Sequence, residues 1–294
     1  MRLARGIIRS LRPQQWMKNA LVFAAPVAAG RITEQTILVH TLLAFVAYCA
    51  AASGTYLLND ASDVESDRQH PTKRNRPIAA GIVPVPVGIG VGVGLIAVAL
   101  AIAFLTDVHL GIAIAAYLVL TTAYTYQLKR LPVYDIVAVA AGFVLRAIAG
   151  AAATDLSISK WFFIVTSAGA LLMVVGKREG ERKMLAGGAA SVRSTLGQYT
   201  DSYLVFVRAV AAGLALIGYC LWAFESASTP GVVADAAIWF ELSIVPFAVA
   251  ILRYSLLLDM GEGAEPERLV LRDRALLAAG GCWAIIYGYG VYVA

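Results

Sequence analysis

The sequence predicts an all-α integral membrane protein with nine transmembrane helices, and three observations support this fold class. The 294-residue chain is 60% hydrophobic with a mean hydropathy of +0.73, and only 15% of its residues are charged, against about 25% in a soluble domain. Its apolar residues form runs long enough to cross a bilayer, and positive charge alternates between the loops that join them. The net charge of +5 would suggest nucleic-acid affinity in a soluble protein, but here each charge must first be assigned to one side of the membrane.

The first 15 residues predict an amphipathic helix at the membrane interface. Arg2, Arg5, Arg9 and Arg12 are spaced to share one helical stripe, with apolar residues on the others. No small-residue cleavage site follows a compact apolar core, so we do not expect a signal peptide.

Nine apolar runs of spanning or near-spanning length follow. They cover residues 18–30, 37–58, 84–105, 110–127, 133–153, 161–176, 202–224, 238–258 and 273–293. The first run is short and contains Pro26, so we expect it to be kinked or to continue from the amphipathic segment. Without a tandem repeat or a second soluble region, residues 1–294 are expected to form one membrane-embedded domain. Its small-residue helix faces permit self-association as a dimer or a trimer.

The loops fall into two sets that differ in positive charge. Nearly all Lys and Arg residues lie in the N-terminal arm, in the helix ends and in loops 59–83, 128–132, 177–201 and 259–272. The other loops, 31–36, 106–109, 154–160 and 225–237, contain only Arg31 and Lys160. Because positive loops remain in the cytoplasm, this alternation places the N-terminus and the charged loops inside the plasma membrane and the C-terminus outside.

An acidic face is predicted in the stretch 56–81, YLLNDASDVESDRQHPTKRNRPIAAG. If the second helix continues into it, Asn59, Asp60, Asp63 and Asp67 fall within an arc of about 100°. Like charges on one face repel, and a divalent cation, Lys or Arg, or water can relieve that repulsion. Oxygen ligands favour a hard ion, usually Mg²⁺ in a cell.

A basic run follows the acids directly. Lys73, Arg74 and Arg76 are cations of the kind that bind phosphate oxygens. Acids, metal and cations side by side predict a diphosphate site that opens to the cytoplasm. The alternative is a solvated loop whose acids neutralise the neighbouring Arg side chains.

A second charged motif, GKREGERKM, begins at Gly176 after the sixth run. If the preceding helix continues, Lys177 and Glu181 align and Arg178 lies beside them. A lipid-binding patch at the membrane boundary would require only the cations, so the mixture of acids and cations favours a ligand site.

A third element, YTYQLKRLPVYD, follows the fourth run. It contains Tyr124, Tyr126, Lys129, Arg130 and Asp135 at the membrane boundary. Aromatic and basic residues are also ordinary interfacial anchors, so this element either contributes to a ligand site or anchors the chain at the membrane boundary.

Two further cations lie in or near the membrane. Arg146 is about 16 Å along its helix from Asp135, near the middle of the bilayer. Arg146 either has a functional role or ties helices together through backbone carbonyls. Lys18 lies where the first run enters the membrane, and snorkelling explains it as well as ligand binding does.

Neither the glycine series nor the cysteines predict a binding site. The alternate glycines from Gly88 to Gly94 lack a following Lys-Ser/Thr and lie inside a spanning run, so they predict close helix packing. Cys49, Cys220 and Cys282 lie in separate apolar runs and indicate neither a disulfide framework nor a zinc site.

These motifs resemble the UbiA-type intramembrane prenyltransferase superfamily. NDxxDxxxD followed by KRxRPIAAG is similar to its first signature, KREGE occupies the place of its second acidic motif, and the Tyr/Lys element matches its third conserved loop. The resemblance covers essentially the whole chain. It implies a helical bundle around a central cavity that is open sideways to lipid, with Mg²⁺ and a diphosphate at the cytoplasmic end.

One departure from the family pattern narrows the expected reaction. Members that use a prenyl diphosphate donor usually have Asp where this chain has Lys177, so one metal ligand is replaced by a phosphate partner. Together with RPQQWMKNALVFAAP and AGFVLRAIAGA, this resembles a branch of the family in which the lipid is the acceptor. The branch transfers 5-phosphoribosyl from 5-phosphoribosyl 1-diphosphate to decaprenyl (polyprenyl) phosphate for cell-wall arabinan precursors.

The predicted chemistry fits the residue types. Mg²⁺ held by Asp60, Asp63 and Asp67 as the catalytic acids would stabilise the charge that builds on the leaving diphosphate. The nucleophile is an anionic lipid phosphate, so no strong general base is required. The residues expected to bind substrate are Lys18, Tyr56, Lys73, Arg74, Arg76, Tyr126, Lys129, Arg146, Lys177, Arg178, Glu181 and Arg182.

Two other functions predict different patterns of charge. A conventional prenyl transfer to an aromatic acceptor predicts a second metal cluster, which the lysine at position 177 weakens. A transporter would place acids along the membrane interior, whereas these acids gather at the cytoplasmic ends.

Overall fold

The structure is a computed structural model that describes residues 2–186, 195–228 and 234–293. The regular structure of these residues is entirely helical. The chain divides into two compact units, Met1–Tyr126 with Leu145–Ser157, and Gln127–Val144 with Ile158–Ala294.

The first unit contains six complete helices and part of a seventh. The complete helices are α1 (Arg2–Ser10), α2 (Ala24–Ala28), α3 (Gln35–Ser62), α4 (Val64–Gln69), α5 (Val85–Thr106) and α6 (Val108–Tyr126). The seventh, α7 (Tyr134–Ala153), belongs to this unit from Leu145 onward. The unit also contains 3₁₀ segments at Pro13–Phe23 and Lys73–Asn75.

Glycines allow two long helices of the first unit to approach closely. A Cβ added to Gly54 of α3 would lie 2.7 Å from the carbonyl oxygen of Gly92 on α5. The predicted role of the α5 glycines in close helix packing is confirmed at Gly92, whereas Gly88 faces Ile78 in the loop before α5. A Cβ on Gly90 or Gly94 would meet no atom of the described residues within 4 Å, because glycines two apart point to different faces of a helix.

The amphipathic helix α1 packs on the first unit through its small residues. Gly6 and Ser10 are buried, and a Cβ on Gly6 would lie 2.8 Å from a methyl carbon of Ile82. Ile7 and Leu11 pack against a buried apolar cluster of this unit. This docking places the last turn of α1 beside the end of α3.

Among its described residues, the second unit contains the first part of α7 and six complete helices. These are α8 (Lys160–Ala186), α9 (Asp201–Ala227), α10 (Ala234–Leu242), α11 (Ile244–Asp259), α12 (Pro266–Arg272) and α13 (Arg274–Tyr292). Short 3₁₀ turns lie at Leu128–Arg130, Leu196–Gln198 and Glu262–Ala264. Helix α8 continues through the GKREGERKM motif to Ala186, so the predicted loop 177–201 begins later than expected, and the condition under which Lys177 and Glu181 align is met.

Eight helices among the described residues are long and apolar enough to cross a membrane. They are Gln35–Ser62, Val85–Thr106, Val108–Tyr126, Tyr134–Ala153, Lys160–Met184, Asp201–Ala227, Ala237–Asp259 and Arg274–Tyr292. The span Ala237–Asp259 joins most of α10 to α11. They correspond to eight of the nine predicted runs, so the predicted count of nine is not confirmed.

The remaining predicted run, 18–30, which is the first in the chain, has a different structure. It is divided between the 3₁₀ segment Pro13–Phe23 and the short helix α2. Pro26 lacks an N–H and leaves the carbonyl of Val22 without its helical donor. The backbone of α7 packs there instead, since a Cβ added to Gly150 would lie only 1.8 Å from that carbonyl oxygen. The expected kink is therefore a break in the α-helix.

Candidate functional site

Two buried carboxylates of the first unit contact one guanidinium. Asp60, near the end of α3, and Asp67 on α4 are each 2% exposed. Nη1 of Arg76 lies 3.1 Å from Oδ1 of Asp60 and 2.7 Å from Oδ2 of Asp67. The prediction that these two acids share a face is confirmed, because both reach the same nitrogen.

The four predicted metal ligands are not gathered into one metal centre. Within the described residues, no three His, Cys, Asp or Glu side chains form a group that could hold a metal ion. Asn59 and Asp63 are half-buried, and Asp63 lies at the junction of α3 and α4. Asp60 and Asp67 are neutralised by charge-assisted hydrogen bonds from Arg76, which is one of the ways predicted to relieve their repulsion.

The N-terminal arm supplies a second cation that the sequence analysis did not place in the site. Nη2 of Arg12 lies 2.5 Å from Oδ1 of Asp60. Its guanidinium also lies over the ring of Tyr56, 4.7 Å from the centroid. Pro13 is the available sequence signal, since a proline disfavours helical backbone at the residue before it, and α1 ends two residues before Arg12, at Ser10.

A cavity of about 300 Å³ lies beside these groups. Four cations and a single carboxylate line it: Arg9, Arg12, Lys73, Arg76 and Asp60. The rest of its lining is uncharged. Such an excess of positive charge in a polar cavity favours a phosphate-bearing ligand.

The remaining cation of the basic run lies outside this lining. Lys73 and Arg74 both belong to the exposed 3₁₀ turn Lys73–Asn75. Lys73 lines the cavity, whereas Arg74 is not among the lining residues. The turn therefore directs the two neighbouring cations differently.

The second motif contains a buried ion-pair network in the second unit. Arg178 on α8 is 1% exposed. Its Nε donates to Asp135 at 3.1 Å and its Nη1 donates to Glu181 at 2.9 Å. The charges of Arg178 and Glu181 are thus satisfied by protein partners, and their predicted role in substrate binding stays a prediction.

Asp135 is a network member that the sequence analysis had treated only as a boundary residue. It is fully buried and also accepts a hydrogen bond from the hydroxyl of Tyr199. That hydroxyl accepts from the backbone N–H of Val133 at 2.6 Å. Burial, and then the hydrogen bond to Asp135, raise the pKa of Tyr199, so the phenol remains a donor at neutral pH.

Arg182 also binds protein groups. It donates to the carboxylate of Asp201 and to the backbone carbonyl of Tyr199. One helical turn earlier, Glu179 is 6% exposed and forms a 3.0 Å ion pair with Arg208 of α9. Most charges of this motif thus stabilise the packing of α8 on its neighbours.

Three other predicted substrate residues are more accessible. Lys177 on α8 is half-buried, and Lys129 is half-buried in the turn Leu128–Arg130. Tyr126, at the end of α6, is 61% exposed.

Arg146 ties elements of the first unit together, as its structural alternative expected, but two of its hydrogen bonds go to side chains, where backbone carbonyls were expected. It is 7% exposed within the first unit. Its Nε donates to the amide oxygen of Asn19 at 2.8 Å and its Nη2 donates to the hydroxyl of Tyr117 at 3.0 Å. The guanidinium also lies 4.6 Å from the Tyr117 ring centroid and 5.7 Å from that of Tyr48. Lys18, which is half-buried, directly precedes Asn19 in the 3₁₀ segment.

Sequence comparison relates the chain to a known family. Residues 20–280 match the model of the UbiA prenyltransferase family. Decaprenyl-phosphate phosphoribosyltransferase of Corynebacterium glutamicum is 43% identical, over 99% of this chain and 88% of that protein. The proteins of the same name from Mycolicibacterium smegmatis and Mycobacterium tuberculosis are 42% and 41% identical, over 99% and 98% of this chain and 93% and 95% of theirs.

Solved structures show the same fold. A UbiA homolog from Archaeoglobus fulgidus bound to DMAPP and Mg²⁺ has a TM-score of 0.65 at 18% identity, covering 97% of this chain and 98% of that chain. A structure concerned with digeranylgeranylglyceryl phosphate synthase in membranes has a TM-score of 0.68 at 14% identity and covers 99% of both chains. The helical fold, the spanning helices and the family match agree, and the chain belongs to the UbiA prenyltransferase family of multi-pass membrane proteins.

Proposed function

We propose that this chain transfers the 5-phosphoribosyl group of 5-phosphoribosyl 1-diphosphate to a polyprenyl phosphate and releases diphosphate. The observation that carries this proposal is the 41–43% identity, over nearly the whole chain, to proteins named decaprenyl-phosphate phosphoribosyltransferase. The cationic cavity of the first unit supports it, because the donor has two separate phosphate-bearing groups. The excess of Lys and Arg in one set of loops supports a site on the cytoplasmic side of the plasma membrane, where the soluble donor is available.

Mg²⁺ is the expected cofactor, and the donor chemistry of the site fits it. Asp60 and Asp67 are buried carboxylates that already share one cationic partner, Arg76. Asn59 and Asp63 are half-buried on the same stretch of chain, and oxygen ligands suit a hard divalent ion. When bound there, Mg²⁺ would withdraw charge from the diphosphate oxygens.

The residues of the chain perform the rest of the reaction. The C1–O bond to diphosphate breaks and the pair of electrons leaves with diphosphate, while a lipid phosphate oxygen forms the new bond to C1. Lys73 and Arg76 stabilise the leaving oxygens as their charge grows. Lys177, which replaces an acid of the prenyl-diphosphate users, binds an anionic group of the donor. Attack opposite the leaving group would invert the anomeric carbon.

The test uses membranes from cells that express the chain, in a host without this activity. Ribose-labelled 5-phosphoribosyl 1-diphosphate and decaprenyl phosphate should give a labelled sugar phosphate in the organic extract, and chelation of Mg²⁺ should abolish it. Asp67→Asn should lower the rate by about 100-fold or more, because this carboxylate would help to hold the Mg²⁺ that stabilises the developing negative charge. Lys177→Ala should chiefly raise the KM for the soluble donor.

A matched control lies on the same short helix. Glu65→Gln also removes a carboxylate from α4, but this side chain is 78% exposed and paired only with a surface arginine, so the rate should remain within about twofold. A protein that makes no lipid-linked ribose phosphate but attaches a prenyl group to an aromatic acceptor would reject the proposal in favour of the conventional reaction of the family.

A further inference from the structure

The N-terminal turn is fixed against α3 at the edge of the cationic cavity. Arg12 has a left-handed backbone conformation (φ 54°, ψ 60°) that residues with a Cβ rarely adopt. The hydroxyl of Ser53 on α3 donates to the carbonyl of Leu11 at 2.9 Å and accepts from Nε1 of Trp16 at 3.0 Å. The chain is thus held on both sides of Arg12, so the turn is a built feature of the fold.

The guanidinium of Arg12 is oriented by the same stripe of α3. Ser53, Tyr56 and Asp60 are separated by three and four residues and therefore share one helical face. The Tyr56 ring supports the flat side of the guanidinium, and Asp60 accepts from Nη2. A guanidinium has five N–H groups, and among the contacts of the described residues this ion pair uses one nitrogen. Further donors remain at the cavity for a ligand.

The cavity contains more positive charge than its own carboxylate can balance. Arg9 and Arg12 come from the N-terminal arm, Lys73 and Arg76 come from the loop after α4, and Asp60 is the single lining acid. The other lining residues are three polar residues and one proline. Such a lining suits a soluble phosphate group better than an apolar lipid chain.

We propose that Arg9 and Arg12 are substrate-binding residues, and that the N-terminal turn forms one wall of the site for the diphosphate group of the soluble donor. The identity of that donor rests on the function proposed above, whereas the anion site itself rests on the cavity. In this arrangement Arg12 neutralises Asp60 with one nitrogen and donates to diphosphate oxygens with others. A helix that the sequence assigned to the membrane surface thereby becomes part of the site.

The experiment measures binding of inorganic pyrophosphate to the purified full-length chain in detergent by titration calorimetry, with and without MgCl₂. Arg12→Gln should raise the Kd by about tenfold, as expected for loss of a charge-assisted hydrogen bond. Arg9→Gln should raise it by a smaller factor, because this side chain is exposed. Arg5→Gln removes the same charge from an exposed position of the same helix and outside the cavity lining, so its Kd should remain within about twofold.

A second titration with farnesyl phosphate separates a soluble anion from a lipid phosphate. If Arg9 and Arg12 affect farnesyl phosphate but not pyrophosphate, the assignment to the soluble donor is overturned. It is also overturned if all three variants bind pyrophosphate equally well. Should Arg12→Gln fail to fold, Arg9→Gln alone decides, since its side chain is exposed. Pyrophosphate binding requires no turnover, so a chain that passes this test but makes no lipid-linked ribose phosphate rejects only the proposed function.

Discussion

Replacing Arg178 by Met tests whether the second motif stabilises the fold or binds a ligand. The guanidinium is 1% exposed and donates to Asp135 and Glu181, at 3.1 and 2.9 Å. Methionine fills similar volume but leaves the fully buried Asp135 with Tyr199 and no cation. Removing one partner of a buried ion pair costs about 3–5 kcal/mol, because the other charge is left uncompensated.

The assay is unfolding of the purified chain in detergent, followed by tryptophan fluorescence during heating and denaturant titration. Arg268→Met is the matched control, because Arg268 is 79% exposed in a surface ion pair with Glu265. Its loss should change the free energy of unfolding by less than about 1 kcal/mol. The double variant Arg178→Met with Asp135→Asn should recover part of the loss, since it removes the orphaned charge.

The opposite result would refute this reasoning. If Arg178→Met is as stable as the unaltered chain but binds the phosphoribosyl donor at least tenfold more weakly, Arg178 is a ligand residue and its ion pairs do not stabilise the fold. If the double variant is less stable than either single variant, Asp135 has a stabilising role that does not depend on Arg178.

Two further predictions concern packing and pH. Gly150→Ala places a Cβ 1.8 Å from the carbonyl oxygen of Val22, so it should cost at least about 3 kcal/mol of stability. Gly90→Ala meets no described atom within 4 Å and should leave the unfolding midpoint unchanged. Equal midpoints for the two variants would contradict the close approach of α7 to Val22. The hydrogen bond from Arg253 lowers the pKa of Asp273. The stability that this carboxylate contributes is therefore present above its ordinary pKa of about 4 and is lost as the pH falls through the lowered pKa. Asp273→Asn should flatten this acid-side decrease in the unfolding midpoint, and an unchanged pH profile would contradict the prediction.

Periodicity and charge predicted most of the fold, because spanning helices need long apolar runs. The exception is the first run, where average hydrophobicity is high but the local backbone decides the structure. Pro13 and Pro26 lie near its two ends, and the segment between them is a 3₁₀ segment and a short helix. A count based on hydropathy does not detect such a break, because the proline effect is steric and local.

The positions of the acids in the candidate site could be predicted from the sequence, whereas the position of Arg12 could not. Helical spacing was sufficient to place Asp60 and Asp67 on one face, since α3 and α4 are almost continuous. Arg12 is 48 residues from Asp60 in the sequence, and no periodicity relates them. Only the docking of α1 through Gly6 brings the N-terminal turn to the acidic stripe.

Exposure separates two kinds of cation that are alike in the sequence. Arg76 and Arg178 both belong to charged motifs that follow an apolar run, and each contacts two carboxylates. The side chain of Arg178 is 2% exposed, whereas the side chains of Arg76 and Arg12 are 28% and 31% exposed and line a cavity. A fully buried cation cannot exchange its partners without a desolvation cost of several kcal/mol, while a half-buried one retains donors for a ligand. We therefore expect substitutions of Arg178 to affect mainly stability, and substitutions of Arg12 and Arg76 to affect mainly the binding of anions.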